Sequence, residues 1–383
     1  MTFRRLAAAA AFLALSCNTI AIADGTGDKG LGVGVTISPT GADYSDSLQS
    51  TAATFGNHAG YRTNQLSVLR LAAGAGTRTI VVDEINDLVG VTTTSDLALG
   101  VYVDGAFYNT LKPGNIGWQP LAIGLDGGAH TVEIYTPYQQ FDFSNVGIIH
   151  FVGISAVHGY GGALAISHPM TTRQLVIYGD SIDGTGGANP GTQLGWVALF
   201  RQIYPGRVAQ EAWGGRAAWD DTAPATGKWG FGSASTLDAR LYALGTSQGA
   251  TSRDYLFDIG TNDETAPRST AAVYQTSLSA QIDGLCTLDP TAHFYVKTML
   301  FTTLESTANG NGEHPSDFRT AATNAASAHA CTVTVINGLN LMLNNAGTCL
   351  VDFAHPNNAG HQAIALGTGA CAGSTSMRAA FGI

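Results

Sequence analysis

The sequence predicts two successive folds: an all-β sandwich, and then an α/β domain built on a parallel sheet. Up to about residue 165, short strand-like runs recur between Gly, Asp and Asn residues, and no long helical pattern interrupts them. From Arg173 onward, short apolar strands alternate with segments of helical spacing, which is typical of a parallel sheet with helices on both faces. The change falls near Ser167-His168-Pro169, so we place the sandwich at 24–167 and the α/β domain at 168–383.

The composition favours a globular protein with a substantial core. The chain has 383 residues, of which 45% are apolar and only 12% are charged, and its formal net charge is -10. No basic run is present, which argues against a nucleic-acid partner. After residue 23, no apolar stretch has the ~18–20 residues that are needed to span a bilayer.

The N-terminus has the pattern of an export signal. Arg4 and Arg5 form a short positive region, residues 6–15 are apolar but too few to span a membrane, and Ala21-Ile22-Ala23 is a small-x-small cleavage site. We expect the first 23 residues to be a signal peptide, the mature chain to begin at Asp24, and the protein to be secreted or periplasmic.

Two other interpretations of this segment stay open. One is a lipoprotein signal that ends at Cys17, although Ala14 stands where Leu is usual in such signals. The other is a buried N-terminal helix.

Four further cysteines, Cys286, Cys331, Cys349 and Cys371, indicate disulfides, because their number is even in a chain that we expect to be exported. No Cys-x-x-Cys pair exists, which argues against a zinc site. Of the three possible pairings we favour Cys286 with Cys331 and Cys349 with Cys371. Each member of the first pair lies between a predicted helix and the next strand, and the second pair flanks one short loop-helix segment.

In the first half, the strand-like runs stand at 79–82, 98–103, 130–135 and 146–152. Between Val103 and Ala106, the dipeptide Asp104-Gly105 predicts a tight hairpin, because Asp and Gly accept a positive φ at both turn positions.

In the second half, strands are predicted at 175–178, 255–259, 294–299 and 332–336, and helices at 194–203, 270–285, 317–330 and 359–366. In open sheets of this type, the site lies outside the carboxyl ends of the strands.

Polar motifs follow two of these strands. Gly179-Asp180-Ser181 comes directly after the first strand, and Gly260-Thr261-Asn262-Asp263 comes after a later one. Alone, each is a common turn. If the sheet is parallel, however, both lie on the same rim.

A third motif, Asp352-Phe353-Ala354-His355, precedes the last predicted helix. An Asp three residues before a His can hold the imidazole in one tautomer and leave its other nitrogen for a serine.

In this order and on these elements, the three motifs resemble the blocks of the SGNH hydrolases, also called GDSL-type esterases and lipases. The resemblance covers residues 175–370, with Ile182 where Leu is commonest in the first block. It implies a flavodoxin-like doubly wound sheet and a serine carboxylic-ester hydrolase, with no cofactor and no metal ion.

The resemblance also implies the role of each residue. Ser181 is the expected nucleophile, His355 the general base and Asp352 the residue that orients it. The backbone N–H groups of Ser181 and Gly215 and the side-chain amide of Asn262 are the expected oxyanion hole. Gly215 belongs to Ala212-Trp213-Gly214-Gly215-Arg216, and the choice between Gly214 and Gly215 stays open.

Other polar and aromatic residues give weaker signals. We expect Asp180 to bond nearby backbone, His314 to lie in a surface loop, and His361 to lie on the exposed face of the last helix. Trp213, Trp219 and Trp229 follow the second strand, where they could contact a sugar or pack in a lid.

The first half is similar to the jelly-roll module that precedes the catalytic domain in family-2 carbohydrate esterases, on the segments 101–105 and 121–135. This similarity implies an O-acetylated carbohydrate as the substrate, and Trp118 and Tyr138 as exposed aromatics that could contact it. Two alternatives are a broad short-chain lipase or arylesterase, and a glycan-binding protein with a vestigial hydrolase domain.

Overall fold

The computed structural model describes residues 35–37, 51–55, 58–62, 68–86, 99–111, 117–135, 152–167, 172–183, 195–212, 215–222, 234–246, 249–265, 269–327 and 329–383. The predicted signal peptide, Cys17, the junction at 168, Tyr138, Trp213, Gly214 and Trp229 lie outside these residues.

The first half is a sandwich of two antiparallel sheets. One sheet has the strand order β1-β10-β5-β8 and the other β11-β4-β9-β6-β7, while β2 and β3 pair with each other. The strands are Val35–Ile37 (β1), Thr51–Phe55 (β2), His58–Arg62 (β3), Val68–Ala73 (β4), Thr79–Asn86 (β5), Leu99–Val103 (β6), Ala106–Leu111 (β7), Gly117–Ile123 (β8), His130–Tyr135 (β9), Val152–Tyr160 (β10) and Leu164–Ile166 (β11).

Alternating apolar residues of both sheets form one core. Leu69 and Leu71 of β4 point inward together with Ile80 and Val82 of β5, as the two-residue period of a strand requires. The predicted strands at 79–82, 98–103 and 130–135 are confirmed as parts of β5, β6 and β9, whereas the run at 146–152 lies outside the described residues except for the first residue of β10.

The hairpin prediction is also confirmed. β6 and β7 pair across Asp104 and Gly105, whose φ angles are 51° and 78°.

The expectation that Trp118 is exposed is wrong. Its ring, 7% exposed, packs with Val81 and Ala156 on the face of the β10-β5-β8 sheet that points away from the sandwich core. A change of Trp118 would therefore disturb the packing of the sheet.

The second half is a five-stranded parallel sheet in the order β13-β12-β14-β15-β16, which is the doubly wound flavodoxin-like order. Its strands are Arg173–Gly179 (β12), Arg207–Ala212 (β13), Ser252–Asp258 (β14), His293–Lys297 (β15) and Val333–Ile336 (β16). The helices are Trp196–Arg201 (α1), Ala218–Thr222 (α2), Ala234–Thr246 (α3), Thr261–Thr265 (α4), Ala271–Leu288 (α5), Pro315–Ala325 (α6), Ala346–Cys349 (α7), Asn358–Leu366 (α8) and Met377–Ala380 (α9), with a short 3₁₀ turn at Gly338–Asn340.

Each face of this sheet carries its own apolar core. Val176 and Tyr178 of β12 pack toward α3, α5 and α6, whereas the alternate residues Leu175 and Ile177 pack toward α1, α8 and α9. β12 is apolar on both faces because it is an interior strand, flanked by β13 and β14, and the turn after it lies on the carboxyl rim between these two strands.

Two helices differ from the prediction. Helix α3 was not predicted, although Leu237, Leu241 and Leu244 have helical spacing and are buried. Helix α6 ends at Ala325, five residues before its predicted end.

The expectation that His361 lies on the exposed face of the last helix is wrong. Its side chain is fully buried between α8 and α1, and its Nδ1 accepts a hydrogen bond from the backbone N–H of Trp196, at 3.2 Å. Because Trp196 is the first residue of α1, its N–H has no partner within the helix, and His361 supplies one.

Two disulfides join the favoured pairs. Cys286 at the end of α5 bonds to Cys331 before β16, and Cys349 of α7 bonds to Cys371, with Cα–Cα distances of 5.9 and 5.7 Å. The second bridge lies directly before the segment that carries Asp352 and His355.

A buried carboxyl group between α3 and α5 makes stability depend on pH. Asp238 is 2% exposed, its Oδ1 has no hydrogen-bond partner among the described residues, and its Oδ2 would lie 1.9 Å from a Cβ at Gly284. Burial raises the pKa of Asp238 from 3.8 to about 8. The folded state therefore keeps a proton that the unfolded state has lost, and stability falls as the pH rises from about 4 to about 8.

We predict that Asp238→Asn reduces this loss. Denaturant unfolding at pH 5 and pH 9 should show a smaller decrease in the free energy of unfolding than in the wild type, by at least about 1 kcal/mol. The control is Asp126→Asn, because hydrogen bonds from Gly128 and His130 hold the pKa of exposed Asp126 below its usual range, so that it stays ionised at both pH values. Equal losses in the wild type and Asp238→Asn would contradict the assignment.

Candidate active site

Ser181 lies on a tight turn at the carboxyl end of β12. The backbone N–H of Asp180 donates to Asp183 Oδ2 at 3.0 Å, and the N–H of Ile182 donates to Asp180 Oδ1 at 2.9 Å. Gly179 is required here, because a Cβ at this position would lie 1.9 Å from the Asp183 carboxylate. The turn leaves Ser181 partly exposed while the acidic residues on both sides are buried.

His355 reaches Ser181 from a separate loop that precedes α8. Its Nε2 lies 2.8 Å from Ser181 Oγ, and its Nδ1 lies 2.7 Å from Asp352 Oδ2. Because the Nδ1–H group of His355 donates its hydrogen bond to Asp352, Nε2 carries no hydrogen. It can therefore accept the hydrogen bond from the Ser181 hydroxyl. The structure thus brings the three predicted catalytic residues into one hydrogen-bonded chain.

Asp352 also shapes the loop that carries His355. Its Oδ1 accepts the backbone N–H groups of Ala354 and His355, both at 2.8 Å. Burial opposes ionisation, but these hydrogen bonds and the one from the His355 ring together hold the pKa of Asp352 below its usual range. Asp352 is therefore a carboxylate at neutral pH, the form that can orient the imidazole.

Asn262 follows β14, on the same rim as Ser181. Gly260 before it has a φ of 137°, which favours glycine, and a Cβ there would lie 2.9 Å from the Tyr274 hydroxyl. Asn262 Nδ2 donates one hydrogen to Asp180 Oδ2 at 3.4 Å. The amide has a second hydrogen that a substrate oxygen could accept.

Gly215 begins the segment that leads into α2, with a φ of 73°. Arg216 anchors this segment: it is fully buried, its Nε lies 2.5 Å from Asp221 Oδ2, and its guanidinium lies 4.4 Å from the centre of the Tyr178 ring. Gly214 lies outside the described residues, so the choice between the two glycines stays open.

Asp263 joins the segments of Gly215 and Asn262. Its buried carboxyl group accepts the backbone N–H groups of Ala218 at 2.9 Å and Trp219 at 3.2 Å, and also the Ser269 hydroxyl at 3.2 Å. The sequence motif placed Asp263 correctly on the rim, but this bracing role depends on the neighbouring β13–α2 connection.

The remaining candidates have structural contacts. The backbone N–H of His314 donates to Asp317 Oδ2 at 2.8 Å at the start of α6, and neighbouring Glu313 accepts the N–H of Ala271 at the start of α5. No described hydrogen bond joins His314 to Ser181 or His355. Trp219 is half-buried on α2.

Three buried residues beneath the rim were missed, Asp183, Asp258 and Lys297. Asp183 stands three residues after Asp180, and Lys297 ends an otherwise largely apolar strand. A charged residue at the carboxyl end of a buried strand was the signal available.

No group of three or more His, Cys, Asp or Glu side chains is placed to hold a metal ion in the described ranges. The same ranges contain no helix that is long and apolar enough to cross a membrane.

Comparison with known proteins shows similarity of structure and not of sequence. No protein-family profile matches the chain, and no curated protein has a significantly similar sequence. A salicylyl-acyltransferase from a tetracycline biosynthetic pathway has a TM-score of 0.61 at 14% identity, covering 87% of this chain and 94% of its own. A family-two carbohydrate esterase from Cellvibrio japonicus (TM-score 0.54, 14% identity) and an acetyl xylan esterase from the rumen bacterium Butyrivibrio proteoclasticus (0.51, 13%) each cover 87% of this chain and 96% of their own.

These matches confirm the predicted fold, a doubly wound parallel sheet preceded by a β-domain, because they extend over both halves of the chain.

The hydrogen bonds from Ala218 and Trp219 to the buried Asp263 carboxyl group can be tested by mutation. We predict that Asp263→Asn lowers the free energy of unfolding by about 1–3 kcal/mol, because an amide has one acceptor oxygen and leaves a buried N–H of Ala218 or Trp219 without a partner. Denaturant unfolding measures the change. Asp317→Asn, a comparable change at the exposed start of α6, should lower the free energy of unfolding clearly less. Equal decreases in the two variants would contradict the bracing role of Asp263.

Proposed function

We propose that this protein is an exported serine esterase that hydrolyses carboxylic esters, with O-acetylated carbohydrate as its substrate. The observation that carries the proposal is the hydrogen-bonded chain from Asp352 through His355 to Ser181, with steps of 2.7 and 2.8 Å, at the centre of the sheet's carboxyl rim. A nucleophile, a base and an orienting carboxylate in this geometry are the requirements for acyl transfer.

The reaction has two steps. Ser181 Oγ attacks the ester carbonyl carbon while His355 Nε2 takes the hydroxyl proton, and His355 then gives this proton to the leaving alcohol as the C–O bond breaks. In the second step, His355 takes a proton from water, the hydroxide adds to the acyl-enzyme, and the proton returns to Ser181 as the acid leaves.

Charge develops on the carbonyl oxygen in both steps. The backbone N–H of Ser181, the second amide hydrogen of Asn262 and the N–H of Gly215 are the proposed donors for this oxyanion. The ionised Asp352 stabilises the imidazolium that forms at the same time.

Support for an acetylated carbohydrate comes from the fold. Two of the structures described above are named as a carbohydrate esterase and an acetyl xylan esterase, and both match the sandwich as well as the sheet. Beside the reacting groups, the Phe353 ring is 41% exposed and lies 6.5 Å from the His355 ring, so that it offers an apolar face to a sugar or an acyl chain.

The division into a signal peptide at 1–23, a sandwich at 24–167 and a catalytic domain at 168–383 is part of this proposal. The separate apolar cores of the two halves support the boundary, and the two disulfides support export to an oxidising compartment. Mass spectrometry of the secreted protein should find Asp24 at its N-terminus; a lipid-modified Cys17 would contradict cleavage after Ala23.

The decisive test is p-nitrophenyl acetate hydrolysis by three variants. We predict that Ser181→Ala and His355→Ala each lower kcat by about 10⁴-fold or more, because the members of such a chain act as a unit, and that Asp352→Asn lowers it less. A serine-reactive phosphonate should label Ser181. His314→Ala is the control, since its described contacts lie at the start of α6, and it should keep wild-type activity.

The substrate is tested by acetate release from a panel of acetylated glycans and by acyl esters of increasing chain length. Higher kcat/KM on a glycan than on any simple ester supports the carbohydrate proposal, and a preference for simple or aryl esters supports a broad esterase instead. Glycan binding without turnover by the wild type would show that the hydrolase half is vestigial.

A further inference from the structure

A cluster of four buried charged side chains lies beneath the Ser181 turn, and the reaction described above does not use it. Its members are Asp180, Asp183, Asp258 and Lys297, none of them more than 6% exposed. Asp258 and Lys297 are the last residues of β14 and β15, and Asp258 is paired in register with Gly179, the last residue of β12. The cluster therefore spans three neighbouring strand ends at the centre of the rim.

An ion pair connects the deeper members. Lys297 Nζ lies 2.6 Å from Asp258 Oδ1. The other oxygen, Asp258 Oδ2, receives no N–H or O–H donor from the described residues.

Asp183 is the most deeply buried carboxyl group of the cluster. Burial and the Asp258 carboxylate raise the pKa of Asp183 well above its usual range. Asp183 also accepts the N–H of Asp180 at 3.0 Å and the indole N–H of Trp196 at 3.1 Å. The group with this raised pKa is thus the same side chain that closes the Ser181 turn.

Asp180 links this cluster to the reacting groups. Its Oδ2 accepts the hydrogen bond from the Asn262 amide. The ionised carboxylate is the stronger acceptor for that amide.

We propose that Lys297 is a positioning residue for ester hydrolysis: its ammonium group offsets the negative charge of Asp258 beneath Ser181, so that Asp180 stays a carboxylate and holds the Asn262 amide toward the oxyanion. This inference rests on the proposed esterase function and assigns a role to a residue that touches neither substrate nor Ser181.

The balance of charges supports this assignment. Burial and the Asp258 carboxylate raise the pKa of Asp180 to about 6, while the Ile182 N–H and the charges of Lys297 and His355 oppose the rise. Asp180 is therefore only narrowly ionised at neutral pH. Loss of the Lys297 charge would raise the pKa of Asp180 further.

The remaining groups around the cluster are polar and neutral. From α5, the Tyr274 hydroxyl donates to the Ile259 carbonyl at 2.7 Å, and burial raises the pKa of Tyr274 well above its usual range. From β13, the Gln210 amide donates to the Asp183 carbonyl. Lys297 is the lysine whose charge opposes the rise in the pKa of Asp180.

The test is the pH profile of kcat/KM for p-nitrophenyl acetate. Lys297→Met should move the acid limb to higher pH and lower kcat/KM about tenfold at pH 7, which corresponds to a rise in the controlling pKa from about 6 to about 8. The double variant Lys297→Met/Asp258→Asn loses one charge of each sign, so that the net charge beneath Asp180 is unchanged. Its acid limb should lie closer to that of the wild type than to that of the single variant.

The Asp180→Asn variant tests whether the movement of the acid limb is due to Asp180. In Asp180→Asn, adding Lys297→Met should move the acid limb much less, because the titrating carboxyl group is gone. The proposal is overturned if Lys297→Met lowers kcat/KM equally at every pH, if the double variant moves the acid limb as far as the single one, or if the movement is undiminished in Asp180→Asn.

Thermal unfolding separates this inference from the proposed function. If wild-type protein hydrolyses no ester, the function fails, but the cluster is still tested by the dependence of Tm on pH. Carboxyl groups with a raised pKa destabilise the fold as the pH rises, so between pH 5 and pH 8 the Tm of Lys297→Met should fall more steeply than that of the wild type. Parallel curves would overturn the inference. If the single variant does not fold, the double variant and Asp180→Asn carry both measurements.

Discussion

The contact between Ser181 Oγ and His355 Nε2 is the constraint on which the catalytic half depends. It joins residues 174 positions apart at 2.8 Å, one on the turn after the first strand of the parallel sheet and one on a loop before the penultimate helix. Both ends are held independently of the contact itself. The Asp183 carboxyl group closes the turn, and the Cys349–Cys371 bridge and the Leu350–Pro356 pairing hold the loop. The packing of α8 against α1, with His361 bound to the first N–H of α1, brings the two supports together.

Buried ion pairs are the second feature of this half. The chain has few charged residues, yet several of them are removed from water in pairs: Arg216 with Asp221, Arg173 with Asp254, Arg253 with Asp289 and Lys297 with Asp258. A buried pair adds little net stability, but removal of one partner is costly, because the other charge is left uncompensated. Such pairs therefore restrict which arrangement of the loops is stable. The pair of Lys297 and Asp258 does so directly beneath the Ser181 turn.

The turn of Ser181 illustrates how this restriction acts. Gly179, Asp180 and Asp183 form a compact unit in which the backbone N–H groups of Asp180 and Ile182 have side-chain acceptors. The unit is rigid because its acceptors are buried, and its acceptors are acidic because carboxyl groups accept several bonds at once. The positive charge of Lys297 offsets part of the cost of burying these carboxyl groups. Lys297 belongs to β15, which is separated from β12 by one strand of the sheet.

Sequence reasoning alone determined the sandwich followed by a doubly wound sheet, the motifs that carry Ser181, Asn262 and His355, and both disulfide pairs, because each depends on local periodicity, turn chemistry or the order of elements. The strand runs at 79–82 and 130–135 and the Asp104-Gly105 hairpin belong to this group. Only the tertiary structure decided what the outer faces of these elements touch. Trp118 and His361 are buried because a second surface covers them, and no pattern within β8 or α8 announces that surface. The cluster of Asp183, Asp258 and Lys297 has the same origin: its members come from different strand ends, and only the register of the parallel sheet places them side by side.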